Sequence, residues 1–415
     1  MPSLQKPNFK KRITDANFHE WLATTRDCCN VVFFAVDLKP YDEELAALSH
    51  ATHHQESAIF LGCHIGPRLA HLLTHHHAIV FPEIPGKPYQ LYRKSLYSIE
   101  ELFAGYSAEV PESYHKTLYW RIYLDKKEVA NDERNFFSLP LTALSTEEHF
   151  ARSLHDHFIQ EQLFLYLENL KHPRHRGIVG FMGGHRVLRS SSIYFEVATL
   201  CRRLTRDGFL IASGGGEGLM EAANLGAWLA PLPDEELKKT IAMLSIDGAN
   251  SSSDPLWLST AWNVRNKTLH ADLKLRRSLG IFTWQFEQQN IFATNIACFF
   301  DYELREKTLI AIAKQGLIYG PGSVGTFEEI FRTAYQNHYT KSKYCYYSPM
   351  IFFKKDYWDP VIGEDGCYPE KTEPVWPLIS KIAQESNFQH TLLKTDSVEE
   401  IEQFIKGFSF TATIP

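Results

Sequence analysis

The run Pro321-Gly322-Ser323-Val324-Gly325-Thr326-Phe327-Glu328-Glu329-Ile330-Phe331 follows the apolar stretch Gly316-Leu317-Ile318-Tyr319, and no other segment restricts the fold as much. It reads as a buried strand, a glycine turn and the start of a helix. Gly322 and Gly325 permit a tight turn, and Thr326 is expected as the N-cap. The first helical turn then leaves N–H groups without intrahelical partners, aimed at whatever lies over the loop. Such a turn binds anions, and phosphate is the guest it suits best.

Two further segments repeat the pattern. Phe209-Leu210-Ile211-Ala212 reads as a buried strand, followed by Gly214, Gly215, Gly216 and Gly218, which feed a helix of small residues. Ile178-Val179-Gly180-Phe181-Met182 is a third strand, followed by Gly183, Gly184, His185 and Arg186, with its helix expected to begin near Ser190. In an open parallel sheet, loops at the carboxyl ends of neighbouring strands converge on one crevice. The sequence therefore predicts an α/β chain built on a doubly wound, Rossmann-like parallel sheet, with strands near residues 178, 209, 241, 280 and 316.

The N-terminal third carries a strand–helix–strand pattern of its own at residues 58–62, 67–74 and 78–82. Residues 89–106, rich in aromatic and charged side chains, predict a helical, partly exposed surface that packs on the central domain or on a second subunit. A long amphipathic helix from about residue 147 ends at the breaker Lys171-His172-Pro173-Arg174-His175-Arg176. Three parts are expected: an N-terminal α/β module with its linking helix over 1–172, a nucleotide-binding catalytic domain over 173–355, and a C-terminal extension over 356–415 that packs on the central domain. Ser397-Val398-Glu399-Glu400 is a capping box opening the last helix.

A chain of 415 residues, 44% hydrophobic and with a formal charge of −6, has ample material for several cores but no basic excess for a nucleic-acid backbone, so no nucleic-acid partner is expected. The N-terminus is polar, and no run of about eighteen apolar residues occurs, so neither a signal peptide nor a membrane partner is expected, and the compartment expected is the cytoplasm. The 7 cysteines show neither a disulfide framework nor a CxxC pair. Adjacent histidines such as His53-His54 and His75-His76-His77 point in different directions on any regular element, so no metal site is expected.

At its glycine turns the chain resembles the Lonely Guy (LOG) family of nucleoside 5′-monophosphate phosphoribohydrolases, formerly labelled lysine-decarboxylase-like, and especially its longer bacterial pyrimidine/purine nucleotide nucleosidase branch. The family's PGGxGTxxE is matched by Pro321, Gly322, Gly325, Thr326 and Glu329, with Ser323 at the second glycine. The GGGxGxMEAAN of the longer members is matched from Gly214 to Asn224. The resemblance covers roughly residues 176–355, and it implies at least a dimer. Family members also carry an arginine on the helix before the PGGxGT strand; Asp301-Tyr302-Glu303-Leu304-Arg305-Glu306-Lys307 offers Arg305, with Glu306 standing where compact members have lysine, which leaves Lys307 as a second candidate cation. If position 323 demands a positive φ, serine there is strained.

The resemblance implies hydrolysis of the N-glycosidic bond of a nucleoside 5′-monophosphate, giving free base and ribose 5-phosphate, with neither metal nor cofactor. The breaking bond develops an oxocarbenium-like sugar, which a carboxylate can stabilise while activating water. Glu329 is the first candidate and Glu328 the second, with Arg305 holding the anionic substrate. The phosphate and ribose would lie against Gly183, Gly184, Gly214, Gly215, Gly216, Gly218, Gly322, Ser323, Val324, Gly325 and Thr326, with Glu221 facing the ribose hydroxyls or packing its helix. Taken alone, Thr326-Phe327-Glu328-Glu329 is a capping box, and Arg305 belongs to a solvated, charged helix face. The rival functions are a non-catalytic nucleotide or molybdenum-cofactor carrier using the same turns, and a DNA-processing protein of related fold.

Overall fold

Among the described residues every pair of strands is parallel, as strand–helix alternation requires when each crossover returns a strand to the same direction. The computed structural model describes residues 11–24, 31–51, 58–75, 78–129, 145–170, 176–269, 275–284, 289–339, 347–363 and 369–408. The histidines at 53, 54, 76 and 77, the cysteines at 28, 29, 345 and 367, and the aromatic run beyond Trp284 lie outside the described residues. Among the described residues no helix is long and apolar enough to cross a membrane.

The chain divides into two compact units, Met1–Lys94 with Glu133–Phe158, and Ser95–Asp132 with Ile159–Pro415. The boundary expected near 172 is therefore displaced. Helix Thr146–Asn169 runs unbroken across the division, and residues 95–132 belong with the larger unit. In the smaller unit, β1 (Lys11–Ile13), β2 (Val31–Phe34), β3 (Ile59–Leu61) and β4 (Ile79–Phe81) form a 4-stranded sheet in sequence order. Its core stacks Phe33 on Phe60 at 4.9 Å beside Trp21, Leu69 and Leu73. Asp42 accepts hydrogen bonds from the N–H groups of Arg68 (3.1 Å) and Leu69 (2.8 Å), so helix Pro67–His75 is capped from a distant segment.

The larger unit holds β5 (Gly177–Met182), β6 (Phe209–Ser213), β7 (Ser278–Thr283), β8 (Asn295–Phe299), β9 (Gly316–Tyr319), β10 (Met350–Phe353) and β11 (Leu392–Thr395). Their order is β11-β10-β9-β5-β6-β7-β8, a doubly wound parallel sheet. The chain winds outward from β5 to β8, then returns to place β9 on the other side of β5. That reversal is a topological switch point, where open α/β sheets take their ligands. The three glycine turns follow β9, β5 and β6, which are adjacent, and the pairings Met182↔Tyr319 and Phe181↔Ser213 bring those strands to a common edge.

The strand expected near 241 is instead helix Asp234–Leu244. Leu237, Ile241 and Leu244 are buried at helical spacing while Met243 is 37% exposed, a period that an apolar tetrad hides. The missing strand is β8, whose edge is covered by an antiparallel bridge between Tyr97 and Ile296. Residues 89–106 are likewise not a continuous helix, although the run is partly exposed and packs through Tyr97 on the central domain as expected. Tyr97, Ile99, Leu102 and Phe103 are buried, only Ile99–Leu102 is helical, and Tyr97 packs edge-on to Trp284 at 5.6 Å. Trp284 itself is fully buried core. The C-terminal segment belongs to the sheet, since β11 extends it beyond β10. Ser397 caps the last helix through Glu400 N–H at 3.2 Å, but the reciprocal arm of the expected box is rerouted: Ser397 N–H donates to Thr395 Oγ1, which in turn meets Glu400.

Candidate active site at the glycine-lined rim

The three turns interlock through their backbones, and absent side chains are what allow it. A Cβ on Gly183 (φ +90°) would lie 2.6 Å from the carbonyl oxygen of Gly320, and one on Gly218 (φ +69°) 2.1 Å from that of Gly184. A Cβ on Gly322 would reach 3.2 Å from the Cα of Gly183. Hydrogen bonds tie the same pieces together: Gly320 N–H to the Met182 carbonyl at 3.0 Å, and Leu219 N–H to that of Gly184 at 3.1 Å. The fully buried Asn290 secures the second turn, its backbone N–H donating to the Gly215 carbonyl at 2.9 Å and its amide to that of Gly216 at 3.1 Å. Gly183, Gly184, Gly214, Gly215, Gly216, Gly218 and Gly322 therefore share one rim.

Helix Val324–Tyr339 starts at that rim, earlier than expected. The Ser323 carbonyl accepts from Thr326 N–H (2.8 Å) and Phe327 N–H (3.2 Å), so Thr326 sits inside the first turn and is not the N-cap. Its side chain is buried over Gly183 and Gly322 instead, and the expected Thr326–Glu329 capping box is absent. Ser323, Val324 and Gly325 are exposed, with their N–H groups at the helix start where no intrahelical acceptor exists. Ser323 is not among the described residues of positive φ, so serine fits there without backbone strain. Tyr357 donates its hydroxyl to the Gly322 carbonyl, fixing the turn from the C-terminal segment.

A buried ionic cluster lies beside these turns. Helix Tyr302–Ile312, capped by Asp301 through Leu304 N–H at 3.0 Å, presents Arg305 and Glu306 inward, both at most 5% exposed. Arg305 Nε donates to the Ile281 carbonyl at 2.8 Å, and its Nη1 contacts Glu306 and lies 3.7 Å from Glu329 Oε1. Its other terminal nitrogen occupies the space a Cβ on Gly214 would need, 1.7 Å from that position. Arg305 thus joins the second turn to the glutamate of the third. Burial, then the neighbouring charge of Glu306, pushes the Glu329 carboxyl well above the ordinary carboxylate range, against the pull of Arg305. Tyr302, its ring centroid 5.9 Å from the guanidinium, turns its hydroxyl to within 3.9 Å of where a Gly325 Cβ would stand.

Several expected site residues fall elsewhere. Glu221 is fully buried, and both its oxygens are taken: Arg189 meets it at 2.9 and 2.5 Å and the Tyr194 hydroxyl at 3.0 Å. With no oxygen free for ribose, it anchors helix Leu219–Trp228. Glu328 turns outward and pairs with Arg332 at 2.8 Å, so it does not join the cluster. Lys307 is exposed, whereas Arg305 is buried against the second turn. Sequence reasoning missed Asn290, Tyr302, Tyr357 and the burial of Glu306. Of these only Glu306 had a signal, an acid beside the candidate arginine where compact family members have lysine.

Fold and rim together define a doubly wound α/β protein with a glycine-lined edge and a buried acid–arginine cluster beside it. No protein-family profile matches the chain, and no curated protein matches it either. Among solved structures, one that matches is a structural-genomics target described as TM1055, at 16% identity and a TM-score of 0.31, covering 56% of this chain and 97% of that one.

Proposed function

We propose that the chain hydrolyses the N-glycosidic bond of nucleoside 5′-monophosphates, releasing the free base and ribose 5-phosphate. The reading rests on the resemblance to the LOG family and on one geometric observation: Arg305 bridges the Gly214 turn to Glu329, beside the open first turn of helix Val324–Tyr339. The phosphate takes the exposed N–H groups of Ser323, Val324 and Gly325, where partial positive charge and unpaired donors coincide. The ribose then lies toward Gly183 and Gly214, with Glu329 serving the bond at C1′ and Arg305 steadying the anion. Interlocked backbone turns cannot rearrange cheaply, so the donors are preorganised.

Incubation with a panel of nucleoside monophosphates should release free base. Glu329→Gln should lower kcat by about a hundredfold to a thousandfold with the melting temperature retained. Arg305→Ala should raise KM as well. A nucleotide retained by the protein without base release would sink the hydrolase and favour the non-catalytic nucleotide or molybdenum-cofactor carrier.

A further inference from the structure

We infer that Glu306 and Glu329 share a single proton beside Arg305, and that Glu306 is a positioning residue which keeps Glu329 in the acid form needed to release the base. The inference rests on the hydrolase reading for its chemistry, but the proton sharing stands on geometry alone. Two carboxyl groups and one guanidinium are buried together, with Glu306 1% and Glu329 6% exposed. Glu306 meets Arg305 through one oxygen, while its Oε2 is buried without a hydrogen-bond donor. Both carboxyls flank one guanidinium nitrogen, Glu306 in contact with Arg305 Nη1 and Glu329 Oε1 3.7 Å from it, so a single cation faces two buried acids. One proton removes the mismatch: the cluster becomes Arg⁺, Glu⁻ and neutral Glu, and every charge is paired.

The remaining charged and titratable groups do not supply another counter-charge. Tyr302 lies on the helix of Arg305, and its hydroxyl is held protonated by burial and by the charge of Glu306. Tyr319, on β9, is likewise held protonated by burial and donates to Thr333 at 2.7 Å. Glu328, on the helix of Glu329, adds only negative charge and is neutralised by Arg332.

Glu329 gives its proton to a ring nitrogen of the departing base as the C1′–N bond breaks and its electron pair passes to the base. Water adds to C1′, and its surplus proton returns to the Glu329 carboxylate. Glu306 keeps its contact with Arg305 throughout, and the pair ends with the proton it began with.

Infrared spectroscopy of the intact protein at pH 7 tests the sharing without any substrate. The wild type should show the carbonyl stretch of a buried protonated carboxyl, and both Glu329→Gln and Glu306→Gln should lose it. Absence of the band from the wild type, or its persistence in either folded variant, overturns the sharing. Should Glu306→Gln fail to fold, the wild type and Glu329→Gln decide. The kinetic arm reads the alkaline limb of kcat/KM, which should fall about one pH unit or more earlier in Glu306→Gln than in wild type, a roughly tenfold loss between the two limbs. Glu306→Asp should restore the wild-type limb, and an unmoved limb in Glu306→Gln overturns the positioning role. A wild type that shows the band but releases no base would refute the hydrolase and leave the shared proton standing.

Discussion

Gly214 bears no side chain because Arg305 uses that space, and this contact separates two glycines that look alike in sequence. A methyl at 214 must displace a guanidinium that is held at its other end by the Ile281 carbonyl and by Glu306. A methyl at Gly216 meets Met220 alone, its terminal Cε at 2.5 Å and its Sδ at 3.7 Å, the movable end of a flexible side chain. Gly214→Ala should therefore lower kcat/KM by about a hundredfold, since a misplacement of about 1 Å costs that much, whereas Gly216→Ala should stay within about threefold of wild type. Steady-state kinetics on the nucleotide turned over fastest compares them directly. Equal losses at both positions would mean that Arg305 is not held in register through the second turn.

At the scale of elements, helix Leu219–Trp228 is locked to the loop after β5 by the Arg189–Glu221 pair, whose second guanidinium face is taken by the carbonyls of Ala249 (2.9 Å) and Trp257 (3.0 Å). Removing one partner strands a buried charge. Glu221→Ala should cost about 3–5 kcal/mol in denaturant unfolding, while Glu328→Ala, which breaks a half-exposed pair one turn apart, should cost about 0.3–0.5 kcal/mol. The same contrast explains which parts of the site could be read from sequence. Glycines announce turns because their backbone role is local, so the edges of β5, β6 and β9 were visible at once. Glu221 and Glu329 look equivalent in sequence, each an acid three residues beyond a glycine-turn residue (Gly218 and Thr326), and only their distant partners, Arg189 and Arg305, separate the helix anchor from the acid beside the rim. The strand β8 and the helix around Ile241 were exchanged for a related reason. Short apolar runs carry no period of their own, and tertiary burial decides which becomes strand.

At the scale of the whole molecule, a buried carboxyl that keeps its proton makes stability depend on pH in a definite direction. In the unfolded chain Glu329 titrates near the ordinary carboxylate value of about 4.3, whereas in the folded chain its pKa is raised. Between those two values the folded state binds one proton more, so stability falls as pH rises, by at most about 1.4 kcal/mol per pH unit. The contribution is whole below the unfolded value and gone above the folded one. Glu148 tilts the other way: burial acts upward on it, but Lys87 and Arg152 outweigh that and hold it low, so its contribution is lost as pH falls. Comparing wild type with Glu329→Gln cancels Glu148 and leaves the pair. The variant should gain stability relative to wild type as the pH is raised from about 4.3 through neutrality, which calorimetric melting temperatures across that range would show. A difference that does not change with pH would mean that Glu329 titrates alike folded and unfolded, and one that changes in the opposite direction would mean that the cluster beside the rim is an ordinary ion pair.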